Sequence, residues 1–204
     1  MYTAYIAGTP NGKKIPIALE ELGLDYRLRH VDLGAGEQHQ PDFVRLSPNH
    51  KIPVLVDEDT GVSLFESCAI LYHLACATGR LIPADTQGRE LVLQWLFLQA
   101  ASTGPMLGQL WWFRHAAPAP NPQALERYTR EALRIHAVLE QRLSESPWVA
   151  AQEYTVADIA WYTWMETHAE LGIDLQAYPR IKDWLDRIAA RPALREALRR
   201  MEER

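Results

Sequence analysis

The stretch Lys51-Ile52-Pro53-Val54-Leu55-Val56-Asp57, followed by Ser63-Leu64-Phe65-Glu66-Ser67 and an apolar helical run, restricts the fold more than any other part of the chain. An apolar strand entered through proline gives up a ladder hydrogen bond, so it belongs at a sheet edge or where the backbone geometry itself is used. Asp57-Glu58-Asp59-Thr60-Gly61 has the length and the glycine of a hairpin turn, so Pro53–Val56 and Ser63–Phe65 are expected as hairpin strands. Glu66 and Ser67 then bring a carboxylate and a hydroxyl to the N-terminus of the next helix. A cis Ile52–Pro53 bond would turn the flanking N–H and C=O outward, where an extended peptide can pair with them; the sequence leaves the isomer open.

Before this unit, Tyr2–Ala7 reads as a short strand. Ile15, Ala18, Leu19 and Leu22 form an amphipathic stripe that Gly23 can end, and Tyr26–Asp32 reads as a strand parallel to the first by a strand-helix-strand crossover. A weak helix is expected around Asp42–Leu46. The helix after Ser67 carries Ile70, Leu71 and Leu74 and stops near Gly79. The order is thus βαβ, loop, ββα.

Strand patterning ends near residue 80, which divides the chain into residues 1–80, a linker over 81–88 holding Pro83 and Gly88, and a helical part over 89–204. One long helix is expected from about Arg89 to Leu110. Pro118, Pro120 and Pro122 separate it from another at about Gln123–Leu143. Thr155-Val156-Ala157-Asp158 fits a capping box, with Asp158 expected to serve folding rather than chemistry. Pro179 and Pro192 open two further short helices.

Hydrophobic residues make up 48% of the 204, enough for a true core, whereas no apolar run approaches the ~20 residues of a membrane span. The N-terminus has no secretory pattern, so a cytosolic protein is expected. A net charge of −5 supplies no basic field for nucleic acid. Cys68 and Cys76 lie eight apart on one helical pattern, cannot pair, and read as buried structural thiols. The seven histidines show no ligand spacing. Gly34-Ala35-Gly36 is followed by Gln38, His39 and Gln40 where a dinucleotide fingerprint needs a helix and a third glycine.

A βαβ-ββα unit with proline before its third strand has the thioredoxin-like plan, which puts its chemistry in the first strand-to-helix loop. Here that loop reads Thr9-Pro10-Asn11-Gly12 and has no cysteine, so thiol chemistry there needs a thiol from a ligand. The chain as a whole resembles the glutathione transferases, with a thioredoxin-like α/β N-terminal domain and an all-α C-terminal domain. Thr9-Pro10-Asn11-Gly12 with Lys14-Ile15, Ser47-Pro48-Asn49-His50-Lys51-Ile52-Pro53, Leu64-Phe65-Glu66-Ser67 and Gly104-Pro105-Met106-Leu107-Gly108-Gln109 are similar to the bacterial Nu class, whose members are glutathione-dependent disulfide-bond oxidoreductases.

That resemblance implies glutathione as co-substrate, its thiolate near Thr9 and Asn11. The N-terminus of the first helix offers a hydroxyl, a side-chain amide and free N–H groups with the dipole sign that favours an anion. Lowering a thiol from about 8.5 by two pKa units takes ~2.7 kcal/mol, within reach of a helix terminus and one or two hydrogen bonds. The resemblance further places Ile52, beside Pro53, on the cysteinyl backbone, Glu66 and Ser67 on the γ-glutamyl end, and Gln38 and Lys51 on the glycyl carboxylate. It nominates Arg127, in Glu126-Arg127-Tyr128, as an arginine from the second domain, and implies a homodimer. Tyr2 and Tyr5, inside the first strand, read as packing residues.

Leu110-Trp111-Trp112-Phe113-Arg114-His115 is more aromatic than the resemblance leads one to expect, and it either lines an acceptor pocket or packs between helices. The main expectation is reduction of a small-molecule disulfide. The alternatives are conjugation of glutathione to an electrophile and a non-catalytic glutathione- or protein-binding module.

Overall fold

The computed structural model describes residues 1–203. The chain divides into two compact units: Met1–Ile82 together with the segment from Ala189 onward, and Pro83–Ile188.

In the first unit, β1 (Tyr2–Ile6), α1 (Pro10–Leu22), β2 (Tyr26–His30), α2 (Pro41–Leu46), β3 (Val54–Asp57), β4 (Ser63–Phe65) and α3 (Ser67–Thr78) follow one another. The four strands form one sheet in the order β2-β1-β3-β4. β1 runs parallel to β2 and antiparallel to β3, and β3 pairs antiparallel with β4. These elements follow the expected pattern to within a residue or two at their ends. One sheet face buries Ala4 and Ile6 against Ile15, Ala18 and Leu19 of α1 and Ile70, Leu71 and Leu74 of α3, all without solvent exposure. On the other, Tyr5 packs with Val31, Phe43 and Val54, its ring edge-on to Phe43 at 6.2 Å. Gly23 and Gly79 close α1 and α3 at φ 64° and 66°, left-handed values that glycine adopts without a Cβ penalty.

A final helix, α9 (Pro192–Glu202), packs on α1. The sequence reading places it with the helical part, yet its charged residues address the first unit. Arg191 grips Glu21 with two nitrogens, one at 2.7 Å. Arg200 Nη1 donates to Glu20 at 2.9 Å, and its guanidinium lies over the Tyr26 ring at 3.9 Å.

The second unit holds α4 (Thr86–Leu98), α5 (Gly104–His115), α6 (Pro122–Glu145), α7 (Val156–Met165) and α8 (Pro179–Ala189). Two expectations need correction here. The expected linker already contains the start of α4, because Asp85 caps it by accepting from Gly88 N at 2.8 Å. Gly88 is no breaker: a Cβ there would lie 2.5 Å from Pro83 Cβ, so the glycine lets the chain double back on itself. The single helix expected over Arg89–Leu110 is interrupted by a π turn at Gln99–Thr103 before α5. Pro105 has no N–H for the carbonyl four residues earlier, so the regular ladder cannot run through this point.

The Thr155–Asp158 capping box is present and fully buried. The Asp158 carboxylate accepts from Thr155 N, Val149 N and Trp184 Nε1, each at 2.9 Å, tying α7 to the preceding loop and to α8. No helix among the described residues is long and apolar enough to cross a membrane.

Candidate functional site

The strand register assembles the site. Tyr5 pairs with Val54, and Val54 with Phe65, so the end of β1, the start of β3 and the end of β4 share one edge of the sheet. The residues just beyond those ends are Thr9 and Asn11, Ile52 and Pro53, and Glu66 and Ser67. Three segments distant in sequence thus converge by topology alone. The Ile52–Pro53 bond is cis.

Thr9 is the N-cap of α1, and its Oγ1 accepts from Gly12 N at 3.1 Å. Since the hydroxyl oxygen is the acceptor there, its proton remains for a second partner. Asn11 occupies the first turn, half-buried like Thr9. The loop is held tight by Gly12, where a Cβ would stand 2.1 Å from the Ala7 carbonyl oxygen. The sequence reading assigned Gly12 no role, because only the folded backbone reveals that approach.

At the other corner Glu66 precedes α3 with φ 71° and ψ 109°, a region non-glycine residues adopt at a cost of order 1–3 kcal/mol. The Glu66 side chain is exposed, whereas Ser67 is buried at 8%. Beneath them lies Lys14, without solvent exposure, its Nζ donating to Ser67 Oγ at 3.1 Å and lying 4.0 Å from Cys68 Sγ. Burial pulls the Lys14 ammonium down to about 8, against smaller upward pulls from Cys68 and Glu66. Lys14 entered the sequence reading only as part of a motif. Its place four residues before Ala18, on the apolar stripe, was the available signal.

Lys51 is exposed and its backbone is pinned by the buried Ser47, whose Oγ donates to Lys51 O at 2.9 Å and accepts from Lys51 N at 3.4 Å. Gln38 turns its amide inward, Nε2 donating to Leu33 O at 3.4 Å. The loops carrying Gln38 and Lys51 are joined by their neighbours, His39 Nδ1 standing 3.2 Å from His50 Nδ1. Tyr2 and Tyr5 both lie within β1, with the Arg29 guanidinium 5.4 Å from the centre of the Tyr5 ring.

Cys68 and Cys76 form no disulfide, and the expectation that both are buried needs correction, since Cys68 is half-buried and Cys76 is exposed. The side of α3 that faces the sheet is taken by Ile70, Leu71, Leu74 and Ala75, so the next residue, Cys76, points outward. Burial pushes the Cys68 thiol up, which keeps it protonated and inert.

In the second unit Arg127 is exposed on α6. Its motif neighbour Glu126 reaches Arg130 at 3.9 Å. Trp111 and Trp112 are each 41% exposed; Trp111 Nε1 donates to Glu170 at 3.0 Å, and Phe113 stacks on Tyr128 at 5.6 Å. The cluster is therefore partly packed and partly open. Among the described residues no group of three or more His, Cys, Asp or Glu is placed to hold a metal ion.

Residues 2–76 match the family model described as Glutathione S-transferase, N-terminal domain, and residues 103–192 match Glutathione S-transferase, C-terminal domain. The chain is 50% identical to the disulfide-bond oxidoreductase YfcG of Escherichia coli over 203 residues, spanning 97% of this chain and 94% of that protein. Among solved structures, a glutathione transferase from Burkholderia graminis with two glutathione molecules per subunit aligns with TM-score 0.90 and 38% identity, over 97% of this chain and 87% of that one. One from Phanerochaete chrysosporium in complex with oxidised glutathione aligns with TM-score 0.93 and 32% identity, over 99% and 96%. With both domain models matched and half its residues shared along nearly its whole length, this chain belongs to the glutathione S-transferase family.

Proposed function

We propose that this protein is a glutathione-dependent disulfide-bond reductase of the Nu type, working as a homodimer in the cytoplasm. The observation that carries the reading is the cysteine-free N-terminus of α1, where Thr9 spends its acceptor on Gly12 N and keeps its hydroxyl proton for an anion. A glutathione thiolate fits that position. Its cysteinyl backbone lies along Ile52, its γ-glutamyl ammonium on Glu66, and its γ-glutamyl carboxylate on the Ser67 hydroxyl and the N–H groups of α3. Lys51 takes the glycyl end, with Gln38 shaping the loop beside it.

The chemistry balances without a protein thiol. The first glutathione thiolate attacks a disulfide, forming a mixed disulfide and releasing one substrate thiolate. A second glutathione thiolate attacks the glutathione sulfur of the mixed disulfide, giving oxidised glutathione and the second substrate thiolate. The two protons lost by glutathione are regained by the two product thiols. The relative crystallised with two glutathione molecules per subunit supports room for both steps, and the 50% identical disulfide-bond oxidoreductase supports the reaction class.

The test is the initial rate of glutathione-dependent reduction of a small symmetric disulfide, followed by coupling oxidised glutathione to glutathione reductase. A wild-type rate well above background should fall at least tenfold in Thr9→Ala and recover in Thr9→Ser, because one hydrogen bond to an anion is worth about 1.5–3 kcal/mol. A rate at background, together with glutathione consumption by an aryl halide, would transfer the assignment to conjugation. Tight glutathione binding with neither activity would make the protein a binding module.

A further inference from the structure

A lysine without solvent exposure needs a reason, since lysine is among the residues least often fully buried. Lys14 brings its ammonium to the inner side of the α3 N-terminus and donates to Ser67 Oγ at 3.1 Å. The Ser67 side chain also hydrogen-bonds Cys68, and because burial keeps that thiol protonated, the thiol is the donor. A serine oxygen that accepts from an ammonium and a thiol still has its own polarised O–H to donate. Ser67 is also the first residue of α3, the end at which helix N–H groups have no partner within the helix itself. The charged groups around the ammonium are Glu66, which is exposed, and the Cys68 thiol, which burial keeps protonated.

We infer that Lys14 is a positioning residue that makes this corner select for a carboxylate. It aims the Ser67 hydroxyl outward and sets a fixed positive charge behind it, so that a ligand with a carboxylate at its γ-glutamyl end is preferred over one without. The inference rests on the glutathione reading above and deepens it. The ligand anion reaches Lys14 through Ser67 and does not touch it.

The experiment is calorimetric titration of the full-length protein with S-methylglutathione and with the analogue carrying a 4-aminobutyryl group in place of γ-glutamyl, which lacks only the α-carboxylate. Methylation removes the thiol from the comparison. The wild type should prefer S-methylglutathione by well over tenfold. In Lys14→Met that preference should shrink at least about tenfold, the worth of a charge-assisted hydrogen bond, while the analogue binds both proteins alike. A purely structural lysine would instead weaken both ligands equally, and an unchanged preference in a folded Lys14→Met protein overturns the inference.

If Lys14→Met does not fold, Lys14→Gln and the wild type carry the test. Titration of the wild type at pH 8.5 in buffers of differing ionisation enthalpy should show more proton uptake with S-methylglutathione than with the analogue, because an anion in front of Ser67 raises the affinity of Lys14 for its proton. Equal uptake overturns the inference. Failure of the wild type to bind S-methylglutathione at all would overturn the glutathione reading itself.

Discussion

At the scale of single residues, the candidate site rests on one lysine that never meets solvent and on one missing side chain. Gly12→Ala puts a Cβ 2.1 Å from the Ala7 carbonyl, so either the loop before α1 or the start of the helix must move. Thr9 then loses its place as cap, and we expect kcat/KM for disulfide reduction to fall more than tenfold and stability to drop by ~2 kcal/mol or more in urea denaturation. Lys14 makes the opposite prediction for stability. Its folded pKa of about 8 lies below the ordinary lysine value of 10.5, so folding at neutral pH carries a desolvation penalty of roughly 3 kcal/mol. The penalty is complete below pH 8 and is relieved as pH rises toward 10.5. Lys14→Met should therefore be more stable than wild type at pH 7, with the difference narrowing by pH 10 in paired urea melts. A variant less stable at pH 7 would show that the Ser67 hydrogen bond outweighs the burial cost.

At the scale of elements, α7 is organised by Asp158 rather than by its apolar face alone. Four buried donors, two from the cap residue Thr155 and one each from the loop and α8, converge on one carboxylate. Asp158→Ala leaves them unsatisfied at a cost of roughly 3–5 kcal/mol, which for a chain of this size lowers the melting temperature by about 10 °C, whereas Asp158→Asn keeps part of the network and should cost less. Scanning calorimetry on both variants decides this, and equal melting temperatures for Asp158→Ala and wild type would contradict it. The capping box was legible along the chain because Thr155 and Asp158 are three residues apart. The loop and α8 donors were not, since Val149 and Trp184 reach the carboxylate only after the helices pack. The π turn before α5 follows the same division: Pro105 stands plainly in the sequence, but helix-compatible residues without strand patterning run on either side of it and mask the break.

For the whole molecule, the proposed chemistry makes the protein's own thiols dispensable. Cys68→Ala/Cys76→Ala should retain most of the wild-type disulfide reductase activity, and abolition in a well-folded double variant would refute ligand-only thiol chemistry. The same molecule shows where linear pattern suffices. Hydrophobic periods, glycine stops and the proline-led strand were enough to read βαβ-ββα followed by helices, because each depends on residues within a few positions of one another. The same local logic put the α1 cap and the Glu66-Ser67 pair at helix N-termini, and the family resemblance made them candidate site components. Pairing of β1 with β3, and of β3 with β4, is what carries those components to one edge of the sheet. Packing also decided that α9 answers to Glu20 and Glu21 of α1, that Gly12 has no room for a Cβ, and that Lys14 lies buried beneath Ser67. Each of these joins groups whose separation along the chain carries no signal, and distance, burial and dielectric take values only once the chain has closed on itself.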